Sequence, residues 1–170
     1  MKALSGFLGL FLSVTLMHGS VAAVEPSTLS LYKGKYAGTV IYASVLPGNT
    51  TANFSASRKK DVGVLTLTST LNSGGTLVPF VETFHFHKKT LTSYTIQIST
   101  TSGSGSGTVH IGKKTITYSG TFVVVGQGSY SLQGTIRKSK RSMTIAEQIS
   151  GGSIPTFPIN YSLKLQGKQK

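Results

Sequence analysis

The sequence predicts an all-β fold: a single antiparallel up-and-down meander of about 8–10 strands, closed or rolled into a barrel, after an N-terminal signal peptide. Three observations carry this reading. Apolar and polar residues alternate with period two along most of the chain, as in Tyr94/Ile96/Ile98 against Thr95/Gln97 and Ile116/Tyr118/Phe122 against Thr115/Thr117/Thr121. That alternation is the mark of a half-buried strand. Short, turn-like connections separate the runs, and short connections favour antiparallel neighbours. A Gly-Thr-apolar triplet recurs inside strands, at Gly38-Thr39-Val40, Gly107-Thr108-Val109, Gly120-Thr121-Phe122 and Gly134-Thr135-Ile136. Glycine within a strand marks a sharp bend, and sheets need such bends to curl and close.

Taken in order, residues 1–23 read as a secretory signal peptide. Lys2 is their one charge, Leu8 to Met17 is a short apolar and small-residue run, and Val21-Ala22-Ala23 is a small-residue cleavage signal. The run is too short to anchor in a bilayer and no second run of spanning length follows, so no transmembrane helix is expected. Residues 24–32 are an N-terminal extension and 33–170 the barrel domain. The alternation places strands at 35–46, 51–58, 62–71, 78–87, 91–99, 107–112, 115–125, 128–137, 141–150 and 157–166. Pro47-Gly48-Asn49, Asn72-Ser73-Gly74-Gly75, Gly126-Gln127-Gly128 and Ser150-Gly151-Gly152 supply turns. Ser102-Gly103-Ser104-Gly105-Ser106-Gly107 reads as a flexible linker, since it lacks the lysine and following helix of a phosphate loop.

The chain has no cysteine, so neither a disulfide nor a bacterial lipoprotein anchor is available and the fold must stand on its core. A domain of this size buries roughly 68–70% of its unfolded surface. The leader places the protein outside the cytoplasm, in a bacterial periplasm or the extracellular space. The formal net charge is +13, from 17 basic and 4 acidic residues. A field this positive implies anionic partners; for an exported protein these are anionic envelope lipids or glycans rather than nucleic acid.

The charges also have a layout. In a meander, alternate turns lie at opposite ends. One set of turns holds Lys59, Lys60, Lys88, Lys89, Lys113, Lys114, Arg137, Lys138, Lys140 and Arg141, while the other set carries no charge. These ten residues are the candidate anionic-surface site. Charged turns also solubilise and protect edges, but that does not explain their absence from every second turn.

Chemistry candidates are few. Glu82 alternates with Phe80, Phe84 and Phe86, and Glu147 with Ile145 and Ile149, so each points the same way as the apolar set. On a lipid-facing surface two carboxylates would be costly, which favours a barrel whose apolar face is inside. Burial would raise their pKa and make each a general acid, a polar anchor for a ligand, or a satisfied structural carboxylate. Their strands are far apart in order, so no spacing between them can be read. His85 and His87 share the outer face of one strand, and His110 lies on the same face with one strand between. With no cysteine or carboxylate nearby they are weak metal candidates, and they read better as a pH-sensitive extension of the basic patch. No Gly-x-Ser-x-Gly elbow or other catalytic constellation is present. The chain reads as non-enzymatic and without a cofactor.

Gly34-Lys35-Tyr36 at the start of the first strand, followed by about ten meandering strands, resembles the lipocalin-like (calycin) barrels. Those usually open with Gly-x-Trp, and Tyr36 takes the Trp position. The resemblance implies a small, mostly apolar ligand inside the barrel. Its lining would be Phe80, Glu82, Phe84, Phe86, Tyr94, Tyr118, Phe122, Tyr130 and Glu147. Two other functions stay open: a surface module docking its basic end on anionic lipids or glycans, and a small outer-membrane barrel.

Overall fold

The structure, a computed structural model, describes residues 28–57, 62–89, 93–151 and 154–167. The expected leader therefore lies outside the described residues, as do Lys59 and Lys60. A 3₁₀ helix, Thr28–Tyr32, precedes ten strands: β1 Gly34–Tyr42, β2 Leu46–Ser57, β3 Val62–Ser73, β4 Thr76–Lys88, β5 Tyr94–Thr100, β6 Gly103–Ile111, β7 Thr115–Val124, β8 Gly128–Lys138, β9 Ser142–Gly151 and β10 Ile154–Leu165. Each strand pairs antiparallel with its predecessor, and β1 pairs with β10, so the meander closes into a barrel. Closure removes the unpaired edges that an open sheet would present.

The alternation read from the sequence sets what faces inward. Leu65, Leu67, Phe84, Phe86, Ile96, Ile116, Ile136, Ile145 and Leu163 are buried in one continuous core. Gln97, Ser99, Thr108, Thr117, Ser119, Gln133 and Gln148, their outward neighbours, are exposed. A one-residue slip of any pairing would invert these faces.

Two local expectations are corrected. The first hairpin turns at Ala43 and Ser44, both at positive φ (52° and 62°), with Val45 N donating to Tyr42 O at 3.1 Å. Pro47-Gly48-Asn49 instead lies within β2. Pro47 pairs with Ile41 of β1, whereas β3 joins β2 only from Gly48 onward. Pro47 thus sits where β2 is still an edge, the place in a sheet where proline is tolerated. The glycine–serine run is likewise no linker: it is most of β6. A Cβ on Gly103 or Gly105 would approach within 2.9 Å of the Phe122 ring of β7. These inward glycines make room for an aromatic side chain; β7 pairs with both, and β5 also pairs with Gly105.

The two poles of the barrel differ. At one, the 3₁₀ helix acts as a plug: Leu29 and Tyr32 are buried, and the Tyr32 ring lies 5.7 Å from that of Phe54. Tyr32 Oη donates to Gly112 O at 2.8 Å, and Tyr36 Oη donates to Tyr32 O at 2.9 Å. The sequence pattern of the extension does not announce this helix. Every described lysine and arginine sits at this closed pole: on the ends of β4 and β8, on the connections following β4, β6 and β8, or at the adjoining start of β1 and end of β10. Lys138 Nζ donates to Leu31 O, tying the plug to the β8–β9 turn, and desolvation there pulls the ammonium below its usual range. At the opposite pole the described connections, Ala43-Ser44-Val45, Gly74-Gly75, Thr101-Ser102 and Val125-Gly126-Gln127, carry no charge.

Candidate functional site: an aromatic cavity above a carboxyl pair

A cavity of about 490 Å³ lies at the uncharged pole. Its walls include Tyr42, Phe80, Phe122, Tyr130 and Phe157, and it reaches down to Glu82. Parity explains the aromatic set: Phe80 shares the inward face of β4 with Glu82 and Phe84, and Phe122 and Tyr130 face each other across the β7–β8 ladder. Tyr42 meets Phe80 edge-on with centroids 5.4 Å apart and lies 5.7 Å from Phe157. Tyr130 Oη donates to Gln127 O at 3.0 Å, fixing one ring at the rim.

Below the cavity Glu82 and Glu147 come together. In a ring of ten strands β4 and β9 are five apart in either direction, so their inward side chains face each other across the lumen. The two carboxyl groups lie within hydrogen-bonding reach of one another. Glu82 is 3% exposed and Glu147 1%. Tyr161 Oη donates to Glu82 Oε2 at 2.9 Å, and Tyr118 Oη donates to Glu147 Oε1. Glu147 Oε2 has no donor, and a buried acceptor left in that state is costly. A proton on the neighbouring Glu82 carboxyl is the available donor toward Glu147. Two adjacent buried carboxylates cannot both ionise cheaply, so one proton serves the pair.

The electrostatics agree with this geometry. Burial pushes the Glu82 carboxyl well above the ordinary carboxylate range, and the neighbouring Glu147 charge pushes it further. Burial also raises Glu147, to about 7, although hydrogen bonds from Tyr118 and Glu82 offset part of the rise. Tyr118 and Tyr161 are held far above the usual phenol range, by burial first and then by the carboxyl charges, so both stay donors. Gly134 completes the arrangement. It lies between Tyr118 and Glu147 in the ladder, and the Tyr118 ring crosses the space its missing side chain would fill.

Of the lining set expected from sequence, Phe80, Glu82, Phe122 and Tyr130 border the cavity. Glu147 and Tyr118 lie beneath it; Phe84 and Phe86 pack deeper, their rings stacked at 6.4 Å. Tyr94 is half-buried against the core near the closed pole. His85 and His87 point outward with rings stacked at 6.3 Å, and β5 separates them from His110. Among the described residues no three metal-ligating side chains come together. Sequence reasoning missed Tyr42, Phe157 and the pairing role of Tyr161. The available signal was parity combined with closure: Tyr42 and Tyr161 continue inward-facing series, and closure sets β1 and β10 side by side.

No protein-family model matches the chain, and no curated protein matches it in sequence. In structure it is similar to a protein described as the crystal structure of Rv2717c from M. tuberculosis. The TM-score is 0.63 at 14% identity, covering 85% of this chain and 99% of the other. That likeness is one of fold.

Proposed function

We propose that this chain is an exported, non-enzymatic barrel that holds a small, mostly apolar molecule in the cavity at its uncharged pole. The observation that carries this reading is the cavity itself: about 490 Å³ with an aromatic wall, above a continuous buried core. Its size falls within the range of small-molecule sites, which are mostly apolar and carry few polar groups. The lipocalin-like reading of Gly34-Lys35-Tyr36 is consistent with it. The outward face of threonine, serine and glutamine is the reverse of what a membrane-spanning barrel presents to lipid. An amide NMR titration with the neutral probe tryptophol tests the proposal. Saturable shifts at Thr100, Ser102, Val124 and Ile149 are expected; no saturable shift, or shifts spread over the closed pole, would contradict it.

One observation favours a second, compatible role. The described lysines and arginines collect at the closed pole, where they can meet an anionic lipid or glycan surface. Binding to phosphatidylglycerol vesicles should weaken steeply with salt. Reversing Lys138, Lys140 and Arg141 to glutamate should reduce it about tenfold or more. Affinity unchanged by both salt and charge reversal would refute the role.

A further inference from the structure

The cavity reading leaves open what kind of apolar molecule enters, and the charge inside the barrel narrows that choice. Glu82 and Glu147 are the only acidic residues among those described, and both are buried. With one proton between them they place a single negative charge beneath a wall of aromatic rings. No described cation stands at that pole to neutralise it. An anionic ligand would meet repulsion and no counter-charge. A purely apolar one would bring no group to offset the negative charge beneath it. An ammonium group meets both a counter-ion and the aromatic rings of Tyr42, Phe80 and Phe122, an environment that attracts cations.

The groups around Glu82 allow this. Its sheet neighbours present Leu67 on β3 and Thr100 on β5, neither of which titrates. Tyr161 of β10 donates to it, and Tyr42 of β1 shares the cavity. Glu147 of β9, itself bonded by Tyr118 of β7, is the remaining titratable partner. The shared proton can therefore pass along the hydrogen bond between the two carboxyls, from Glu82 to Glu147, which leaves the carboxylate on the residue that lines the cavity.

We propose that the cavity takes a small organic amine with an aromatic or otherwise apolar body, its ammonium held by Glu82 while the shared proton sits on Glu147. This rests on the cavity being a ligand site, and the experiment separates the two. Isothermal titration compares tryptamine with tryptophol, which differ in the amine and hydroxyl, on wild type, Glu82→Gln and Glu147→Gln. At about pH 8 tryptamine should bind wild type about tenfold more tightly than tryptophol. The advantage should fade as the pair takes its second proton on acidification. Glu82→Gln should lose the advantage, while its amide NMR spectrum reports that the barrel is still folded. Glu147→Gln should keep the advantage, because Glu82 still faces the cavity. Equal affinity of the two probes for wild type, or a preference that survives Glu82→Gln, would overturn the amine assignment alone. Failure of both probes to bind wild type would overturn the cavity reading and the amine assignment with it.

Discussion

Replacing Gly134 by alanine is expected to destabilise the barrel by about 3 kcal/mol or more. A Cβ there would overlap the Tyr118 ring carbons and hydroxyl. A flexible, exposed side chain would swing away, but Tyr118 is 4% exposed and its hydroxyl is bonded to Glu147. Displacing it both overpacks the core and removes the donor from a buried carboxylate whose other oxygen already lacks one. Guanidinium unfolding measures the loss, with Gly126→Ala as the contrast. Gly126 also sits in a demanding conformation, φ 76°, but an added methyl there meets nothing within 4 Å, so backbone strain of about 1 kcal/mol is all that is expected. A Gly134→Ala loss no larger than that of Gly126→Ala would show that Tyr118 is not held across the glycine as described.

The second large effect is on the pH dependence of stability. In the unfolded chain both glutamates ionise near the ordinary value of 4.5. In the barrel both are raised, Glu147 to about 7 and Glu82 well above its ordinary value. The folded state therefore binds more protons than the unfolded state above that ordinary value, and its stability falls as pH rises. The fall begins near pH 4.5, continues through about 7, and persists as far as Glu82 holds its proton. Each extra proton contributes a slope of about 1.4 kcal/mol per pH unit. Glu82→Gln supplies a permanent N–H donor toward Glu147 and removes the group that holds the last proton. Above about pH 7 wild type should keep losing stability for as long as Glu82 holds its proton, and Glu82→Gln should fall less steeply there. Chemical unfolding at several pH values checks both; parallel curves for the two proteins would contradict the shared proton.

Much of this was legible in the sequence because a strand's period of two is a strict signal. Alternation puts Glu82, Phe84, Tyr118 and Phe122 on the apolar face, the two carboxylates argue that this face is inside, and strand number and turn order place the lysines and arginines at one pole. Turn chemistry was less reliable. Pro47-Gly48 looks like a turn, yet tertiary pairing extends β2 through it and forces Ala43 and Ser44 into left-handed conformations. Glycine was ambiguous in the same way: at Gly103 and Gly105 it signals room for Phe122, not looseness, and only the neighbouring strand reveals which. The carboxyl pair was hidden for another reason. Glu82 and Glu147 are remote along the chain, and their meeting follows only from closure of a ten-stranded ring. The plug was hidden because five residues, Thr28–Tyr32, are too few to show a helical period.

The behaviour of the uncharged pole turns on Glu82 and Glu147 sharing one proton beneath the cavity. Carbon-13 NMR of side-chain carboxyls in glutamate-labelled protein, followed from about pH 3 to 9, tests it most directly. Two of the three glutamate resonances are expected to titrate well above the ordinary range and to respond to each other, and Glu82→Gln should remove one and return the other toward ordinary values. Three independent titrations near 4.5 would contradict it.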